Sequence, residues 1–355
     1  MALSNKYLFE KYKLVSDTIK LYPNQFEQAW EEIKNINIPD DYKKIDNVVF
    51  CGMGGSALGA RIVESFGFGK LRVPIKIVND YKIPAYVNPK TLVIVSSYSG
   101  TTEETIESTY KAIKSNAKLF AITTGGKLSE IVKKEKIPAY VFNPLFNPSN
   151  QPRMSIGYAF GATLATFNKL NLLTISDDEI GNALRNSYKI LTEIQENAPI
   201  SKNLTHHFSL SLRNKIPIIV ASEHLYGASY TIKNQFNESA KTFSVIFDIP
   251  ELNHHLMEGL SNPKGQKELF EFIFFESENY DEKIRKRYKI TADVLDKNNI
   301  SYLFYNTKSK DLLSEIFEVL IFGSYTVYFL TKLYNIDPLE IPWVDYFKEK
   351  LSKYS

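Results

Sequence analysis

Two segments rich in glycine and hydroxyl side chains carry the residues best suited to chemistry in this chain. They are CGMGGSALGA at residues 51–60 and SSYSGTTEET at residues 96–105, and each lies between an apolar run and a helical pattern. Glycines let a backbone approach an anion closely, and a helix N-terminus favours negative charge. Neither segment contains the lysine of a nucleotide P-loop. The pattern predicts a site for one phosphate monoester, with these candidate residues: Gly54, Gly55, Ser56, Ser97, Ser99 and Thr102.

Two other interpretations apply to these segments. They could be ordinary strand-to-helix turns with capping hydroxyls. They could also belong to a dinucleotide site, because Gly52, Gly54 and Gly59 loosely match G-x-G-x-x-G. The third glycine comes late, and Asp80 lies beyond the usual position of the ribose-binding acid, so the spacing disfavours a dinucleotide.

A carboxylate in the second half is a candidate general base. Glu238 lies in NQFNESAKTFS with Ile232 and Phe236 nearby on the same helical pattern. Apolar neighbours raise the pKa of a carboxyl group and suit it to proton transfer near neutral pH. The alternative, which the sequence alone favours, is a solvated glutamate paired to Lys241 or Lys233.

The segment ELNHHLMEG contains two adjacent histidines, His254 and His255, beside a predicted loop. Adjacent side chains point apart on a helix or strand, so the pair cannot converge on one metal ion and no metal site is predicted. One imidazole could act as an acid or base near neutral pH, and a structural role is the alternative.

Two cationic residues complete the candidates. Arg153, in SNQPRMSIG, follows a proline-rich loop and could stabilise a developing oxyanion, although a surface charge is equally consistent with the sequence. Lys348 belongs to a basic C-terminal helix, where Lys350 and Lys353 are its equals by sequence alone.

Alternating apolar and helical patterns must position these residues. Strands predicted from residue 48 to residue 142 alternate with helices, which indicates a parallel sheet covered on both faces. Continuous helical periodicity from Met154 toward Glu196 predicts a bridge to a second alternating block. An apolar helix at residues 312–334 and a short helix at residues 343–351 follow. We therefore predict two α/β domains, residues 1–170 with the phosphate loops and residues 171–355 with the candidate base.

Composition limits the function further. The chain has 355 residues, 44% of them hydrophobic, a net charge of +3 and one cysteine. Balanced charges give no reason to expect nucleic acid or a membrane surface as a partner. The single cysteine suits a reducing compartment, and we find neither a signal peptide nor an apolar run of membrane-spanning length. The predicted location is the cytoplasm.

Five motifs in the same order resemble the archaeal-type bifunctional phosphoglucose/phosphomannose isomerases. They are the Gly-Gly-Ser loop, SYSGTTEET, the Pro-Arg of QPRMSIG, NQFNESAK and ELNHH, and the match covers nearly the whole chain. The resemblance implies two flavodoxin-like sugar isomerase domains, a homodimer and interconversion of sugar 6-phosphates. It implies no metal ion and no other cofactor.

The same resemblance implies a role for each candidate. Phosphate would be bound by Ser56, Ser97, Ser99 and Thr102. Glu238 would be the isomerisation base and Arg153 would steady the enediolate. His254, donated across the dimer interface, and Lys348 would open the sugar ring. His255 stands where the family more often has asparagine, which leaves the assignment between the two histidines open.

Two alternatives to this enzyme share the same domain. Sugar isomerase domains also serve as non-catalytic sugar-phosphate sensors, which keep the serine-rich loops and do not need the catalytic set. The usual DNA-binding companion of such a sensor is not evident in the two predicted N-terminal helices. The other alternative is an isomerase of amino-sugar phosphates.

Overall fold

Two parallel β-sheets form the centre of the structure, a computed structural model that describes residues 5–353. The first sheet consists of β1 (Asn47–Gly52), β2 (Ile75–Val78), β3 (Thr91–Ser97), β4 (Lys118–Thr123) and β5 (Ala139–Val141). The second consists of β6 (Ile216–Ala221), β7 (Val245–Asp248), β8 (Phe270–Glu276) and β9 (Ser301–Asn306). Their strand orders are β2-β1-β3-β4-β5 and β7-β6-β8-β9. Both have the flavodoxin-like order, so the predicted fold class is confirmed.

Helices cover the two sheets. Those before and within the first sheet are α1 (Asn5–Lys20), α2 (Tyr22–Lys34), α3 (Gly55–Phe66), α4 (Glu103–Lys114) and α5 (Gly126–Lys134). Those between the sheets are α6 (Ile156–Lys169), α7 (Asp177–Ile194) and α8 (Leu204–Ser211). The remainder are α9 (Tyr226–Glu238), the short α10 (Leu256–Gly259) and α11 (Gln266–Leu269), α12 (Glu282–Lys297), α13 (Leu312–Tyr334) and α14 (Pro342–Leu351).

The first sheet is buried on both faces. Val48 and Phe50 of β1 belong to the larger hydrophobic cluster, whereas Val49 and Cys51 between them belong to a second cluster on the opposite face. Successive side chains of a strand point to opposite sides, so a strand covered by helices on both faces is apolar throughout. This is the physical reason that the short apolar runs in the sequence located the strands.

The helical region between the sheets differs from the prediction. Continuous periodicity from Met154 toward Glu196 predicted one bridging segment, but the chain breaks between α6 and α7. Asn171 adopts the left-handed conformation with φ of 55°. Ser176 then caps α7, its hydroxyl accepting from the Glu179 backbone N–H while the Glu179 carboxylate accepts from the Ser176 N–H. The break lets α7 turn back against α13.

The helix α13 is long and apolar enough to cross a membrane, which the sequence analysis did not recognise. In this structure 94% of its most apolar stretch is buried inside the protein. Glu318 on α13 is also fully buried, and its carboxylate accepts hydrogen bonds from the Tyr305 hydroxyl and the Lys308 backbone N–H, both at 2.8 Å. Such internal pairing of a buried charge identifies α13 as a core helix.

Close packing of α3 against α9 connects the two halves. A Cβ at Gly227, near the start of α9, would lie 2.4 Å from the carbonyl oxygen of Arg61 on α3. The Gly227 backbone N–H also donates to Ser65 Oγ at 3.1 Å, and Ser65 Oγ donates to the His224 carbonyl at 3.3 Å. Later residues of α9 therefore contact earlier residues of α3, so the two helices run antiparallel. The antiparallel pairing brings the end of α9 toward the beginning of α3.

Candidate active site

The first phosphate loop joins β1 to α3. Gly54 precedes the helix with φ of 48° and ψ of −126°, a conformation that side chains with a Cβ rarely adopt. Gly55 lies against the next wall of the site, because a Cβ there would be 2.8 Å from the Pro152 carbonyl oxygen and 3.1 Å from Arg153 Cα. Ser56 Oγ accepts a hydrogen bond from the Tyr98 backbone N–H at 3.0 Å. That bond fixes the hydroxyl and leaves its proton available to donate to an anion.

The second phosphate loop follows β3, the neighbour of β1 in the sheet. Ser97 Oγ accepts from the Gly100 backbone N–H at 3.0 Å and lies 2.9 Å from Thr102 Oγ1. Ser99 Oγ lies 3.0 Å from Thr101 Oγ1. Thr102 directly precedes α4, whose first turn follows it. The carboxyl ends of two adjacent parallel strands thus present hydroxyls and a helix N-terminus at one edge.

A cleft lies beside these loops. It is lined by Gly55, Ser56, Tyr98, Pro152, Ser155 and Tyr158. The sequence analysis did not identify Tyr98 or Ser155 as site residues. Tyr98 lies within the second motif itself, so its position after β3 was the signal available.

Arg153 is buried, with an exposed fraction of 4%, so the interpretation as a surface charge is wrong. Its Nη1 donates to Gln151 Oε1 at 2.8 Å, and its Nη2 donates to the carbonyls of Pro338 and Leu339 at 2.9 and 2.8 Å. Its Nε is buried and has no hydrogen-bond partner among residues 5–353. Burial lowers the pKa of Arg153, and the charge of Glu238 is the first of the effects that oppose this shift.

Glu238 is the last residue of α9 and is half-buried. One turn earlier, Gln235 donates to the Tyr22 hydroxyl at 3.2 Å, and that hydroxyl lies 3.7 Å from the Met154 sulfur, next to Arg153. Burial raises the pKa of Glu238, whereas the cations of Arg153, Lys233, Lys348 and Lys241 act to lower it. The sequence alone favours a solvated ion pair between Glu238 and Lys241 or Lys233. In the described part of the chain no salt bridge joins Glu238 to either lysine.

Lys348 lies on α14, an exposed helix that follows the segment bound by Arg153. Its charge acts on Glu238, and the charge of Asp345 on the same helix acts on Arg153. These charge effects indicate that α14 lies near both Glu238 and Arg153. Several apolar side chains of α14 remain exposed, with Trp343 at 82% and Phe347 at 62%.

His254 lies in the segment between β7 and α10. It ends a short 3-10 helix after β7, and both His254 and His255 are exposed. Among residues 5–353, no hydrogen bond or ion pair joins either histidine to Glu238, Arg153 or Lys348. Nor do the described residues contain a group of three or more His, Cys, Asp or Glu side chains that could hold a metal ion.

The chain is similar in sequence to proteins of known family. A bifunctional phosphoglucose/phosphomannose isomerase of Caldicellulosiruptor bescii is 35% identical over 347 residues, which cover 93% of this chain and 97% of the relative. Another from Thermoplasma acidophilum is 32% identical, covering 86% and 90%. The chain belongs to the bifunctional phosphoglucose/phosphomannose isomerase family.

The model of the bacterial phospho-glucose isomerase C-terminal SIS domain matches residues 201–351, which include the second sheet, Glu238 and α14. Among solved structures, tagatose-6-phosphate ketose/aldose isomerase from Escherichia coli is similar with a TM-score of 0.68 and 15% identity, covering 92% of this chain and 94% of that chain. That likeness concerns the fold.

Proposed function

We propose that this family member interconverts glucose 6-phosphate and mannose 6-phosphate with fructose 6-phosphate, through a cis-enediol and without a metal ion. The observation that carries the proposal is the position of Glu238 at the end of α9. It is a half-buried carboxylate whose pKa is raised by burial and on which the charges of Arg153, Lys233, Lys348 and Lys241 act. Arg153 in turn lies against Gly55 of the first hydroxyl-rich loop. The activities in the names of the relatives agree with this chemistry.

Glu238 would transfer the proton between C2 and C1 of the open-chain sugar. It removes the C2 proton of the aldose to give an enediolate, the hydroxyl proton passes from O2 to O1, and the same carboxylic acid returns its proton to C1 to give the ketose. A base must be ionised to begin, and a pKa raised by burial increases its proton affinity while neighbouring cations keep it charged. Glucose and mannose phosphates differ only at C2, so their deprotonation gives one enediol skeleton.

Arg153 would stabilise the negative charge of the enediolate. Its guanidinium is held by Gln151 and by two backbone carbonyls, so little reorganisation is needed when charge develops. The buried Nε–H, which has no partner in the part of the chain that the structure describes, is a donor that a substrate oxygen can satisfy.

The two hydroxyl loops would bind the 6-phosphate away from the reacting carbons. Ser56, Ser97 and Ser99 accept backbone or neighbouring donors, so their positions are set before substrate arrives. Thr102 would add its hydroxyl, and Gly54 and Gly55 would let the backbone approach the phosphate oxygens. Binding at a remote group holds a flexible open chain in a reactive geometry.

Ring opening would need an acid and a base, for which we propose His254 and Lys348. The charge of Lys348 acts on Glu238 of the same chain, whereas His254 is exposed and, among residues 5–353, no hydrogen bond or ion pair joins it to the set. We therefore propose a homodimer in which His254 of one chain completes the site of the other. The exposed apolar side chains of α14 are consistent with burial against a second copy.

Mixing two inactive variants tests this shared site. Glu238→Gln and His254→Ala proteins, exchanged into mixed dimers, should recover part of the activity because one site per dimer is intact. His255→Ala in place of His254→Ala identifies which imidazole acts. No recovery after subunit exchange is confirmed would place both groups in one chain.

The function itself is tested by a coupled assay of fructose 6-phosphate conversion to each aldose phosphate in the presence of EDTA. Glu238→Gln should lower kcat by orders of magnitude. Glu64→Gln on α3, where burial also raises the pKa of a helix glutamate, should retain activity. If the folded protein binds the sugar phosphate and converts none of it, the chain is a sensor. If it converts glucose 6-phosphate but not mannose 6-phosphate, the proposed mannose 6-phosphate activity is refuted.

We also infer a cytoplasmic location. The support is the single cysteine, Cys51, which is free and buried and fits a reducing compartment.

A further inference from the structure

Lys241 lies just beyond α9 in a backbone conformation that its residue type does not favour. Its φ is 51°, in the left-handed region where glycine and asparagine are the usual residues. A lysine that persists at such a position is explained when the surrounding structure uses its side chain. The contacts of its ammonium group supply that use.

The ammonium of Lys241 holds residues 337–340, which we call the C-terminal strap. Lys241 Nζ donates to the Asp337 carbonyl at 2.7 Å and to the Ser239 carbonyl at 3.1 Å. Arg153 Nη2 donates to the next two carbonyls of the strap, those of Pro338 and Leu339. Two cationic side chains therefore bind three consecutive backbone carbonyl groups.

The other side of the strap is fixed as well. Asp337 Oδ1 accepts from the Leu339 backbone N–H at 2.7 Å, and the Tyr7 hydroxyl on α1 donates to Glu340 Oε1 at 3.3 Å. The strap leads directly into α14, which carries Lys348 and has no buried residue of its own. The strap contacts, rather than packing of α14 itself, set where Lys348 lies within this chain.

Charged groups surround the Lys241 ammonium. Burial of the ammonium is the largest effect and, together with the charge of Arg153, lowers the pKa of Lys241 to about 8. The carboxylates of Asp337, Glu340 and Glu238 oppose this shift. The Lys241 charge in turn acts to lower the pKa of Glu238.

We propose that Lys241 is a positioning residue of the isomerase, whose charged ammonium clamps the C-terminal strap so that α14 holds Lys348 opposite Glu238. The proposal rests on the proposed function. A charged donor makes the stronger hydrogen bond to a carbonyl, so the clamp weakens when Lys241 loses its proton. Lys241 would touch the strap and not the substrate.

Two substitutions separate charge from packing. Lys241→Met keeps most of the side-chain volume and removes the charge, whereas Lys241→Arg keeps a charge that does not titrate in the assay range. Lys136 provides the matched control, because it is exposed and also adopts a positive φ, of 54°, far from the site in the turn before β5. Lys136→Met and Lys136→Arg should leave every kinetic constant unchanged.

We expect Lys241→Met to lower kcat by about 10- to 100-fold, the usual consequence of a catalytic group misplaced by about 1 Å. The acid limb of its kcat/KM profile should move to higher pH, because Glu238 loses a neighbouring cation. The clamp predicts a decline of kcat near pH 8 in the unmodified enzyme, and Lys241→Arg should keep most of kcat and lose that decline. A residue with a merely structural role would lower kcat without moving either limb.

Hydrogen exchange of the Leu339 and Glu340 amides gives a second readout that needs no activity. Exchange should be faster in Lys241→Met than in Lys241→Arg or the unmodified protein. Unchanged exchange and unchanged pH limbs would overturn the proposal, as would a decline near pH 8 that persists in Lys241→Arg. If Lys241→Met does not fold, the Lys241→Arg profile alone decides. Absence of isomerase activity in the unmodified protein would instead refute the proposed function, and the exchange rates would still test the clamp.

Discussion

A methyl group added at Gly227 should push α9, the helix that ends in Glu238, away from α3 and the loop before it. In Gly227→Ala the new Cβ would lie 2.4 Å from the Arg61 carbonyl oxygen and 2.6 Å from Ile62 Cα. Ordinary contacts begin near 3.4 Å, so α3 and α9 must separate by about 1 Å, because both clashing groups are backbone. Overpacking of this kind costs about 1–3 kcal/mol, from which about 1 kcal/mol of improved helix propensity is subtracted.

The separation should affect chemistry more than substrate binding. Glu238 ends α9 and the phosphate loop begins α3, so a shift of about 1 Å between them should lower kcat by about 100-fold. The Kd for inorganic phosphate should change little, since the phosphate loops stay with the first sheet. The assay is the coupled isomerase measurement, with phosphate binding measured by calorimetry and stability by urea unfolding.

Gly181→Ala is the control for this prediction. Gly181 also lies inside a helix, α7, but a Cβ there would meet only the movable end of the Arg185 side chain, at 3.2 Å. This variant should retain kcat and gain stability from helix propensity. A Gly227→Ala protein with an unchanged kcat would refute the reasoning that α3–α9 spacing sets the position of the base.

Three further predictions concern buried ionisable groups. His224→Ala should lower the free energy of unfolding by about 3–5 kcal/mol, because it removes the 2.6 Å partner of the fully buried Glu315 carboxylate. Lys310→Ala breaks an exposed ion pair and should change the free energy of unfolding little. Burial raises the pKa of Glu238, so its ionised form lowers the stability of the folded protein above the pKa of the unfolded chain, and Glu238→Gln should raise Tm at pH 7. In the unmodified enzyme the acid limb of kcat/KM should lie above 4.5, the ordinary pKa of a glutamate. Burial raises the pKa of the Cys51 thiol to about 12, so a thiol reagent at pH 8 should label unfolded protein and leave native protein unreacted.

The sequence located most elements because their patterns are local. The alternating block predicted at residues 48–142 contains the first sheet to within one residue, and the helix predicted at residues 312–334 has those bounds in the structure. The break between α6 and α7 was missed because both helices share an apolar period across it. Its signals were present, since Asn171 suits a left-handed turn and Ser176 with Glu179 forms a capping box.

Site residues were harder to judge because their environment comes from distant parts of the chain. Arg153 could not be distinguished from a surface charge until the strap carbonyls of Pro338 and Leu339 were seen to cover it. Lys241 was considered only as a partner for Glu238, whereas its ammonium binds the strap. The positions of the two glycine- and hydroxyl-rich loops could be predicted, because each motif carries its glycines and hydroxyls within one strand-to-helix turn; their binding of phosphate stays a prediction.

The two sheets have the same strand order, but only the first carries the glycine- and hydroxyl-rich loops. The contacts of the second sheet give a physical reason. The carboxyl ends of its strands correspond to the edge of the first sheet that carries the glycine- and hydroxyl-rich loops. There the Glu315 carboxylate of α13 is bound by His224 at 2.6 Å, by Ser277 at 2.8 Å and by Thr307, and all four side chains are buried. A buried carboxylate at this edge repels a phosphate and its donors are already used. In the proposed function, the second half supplies Glu238 and Lys348 to a site that the loops of the first half begin, so each half would depend on the other for chemistry.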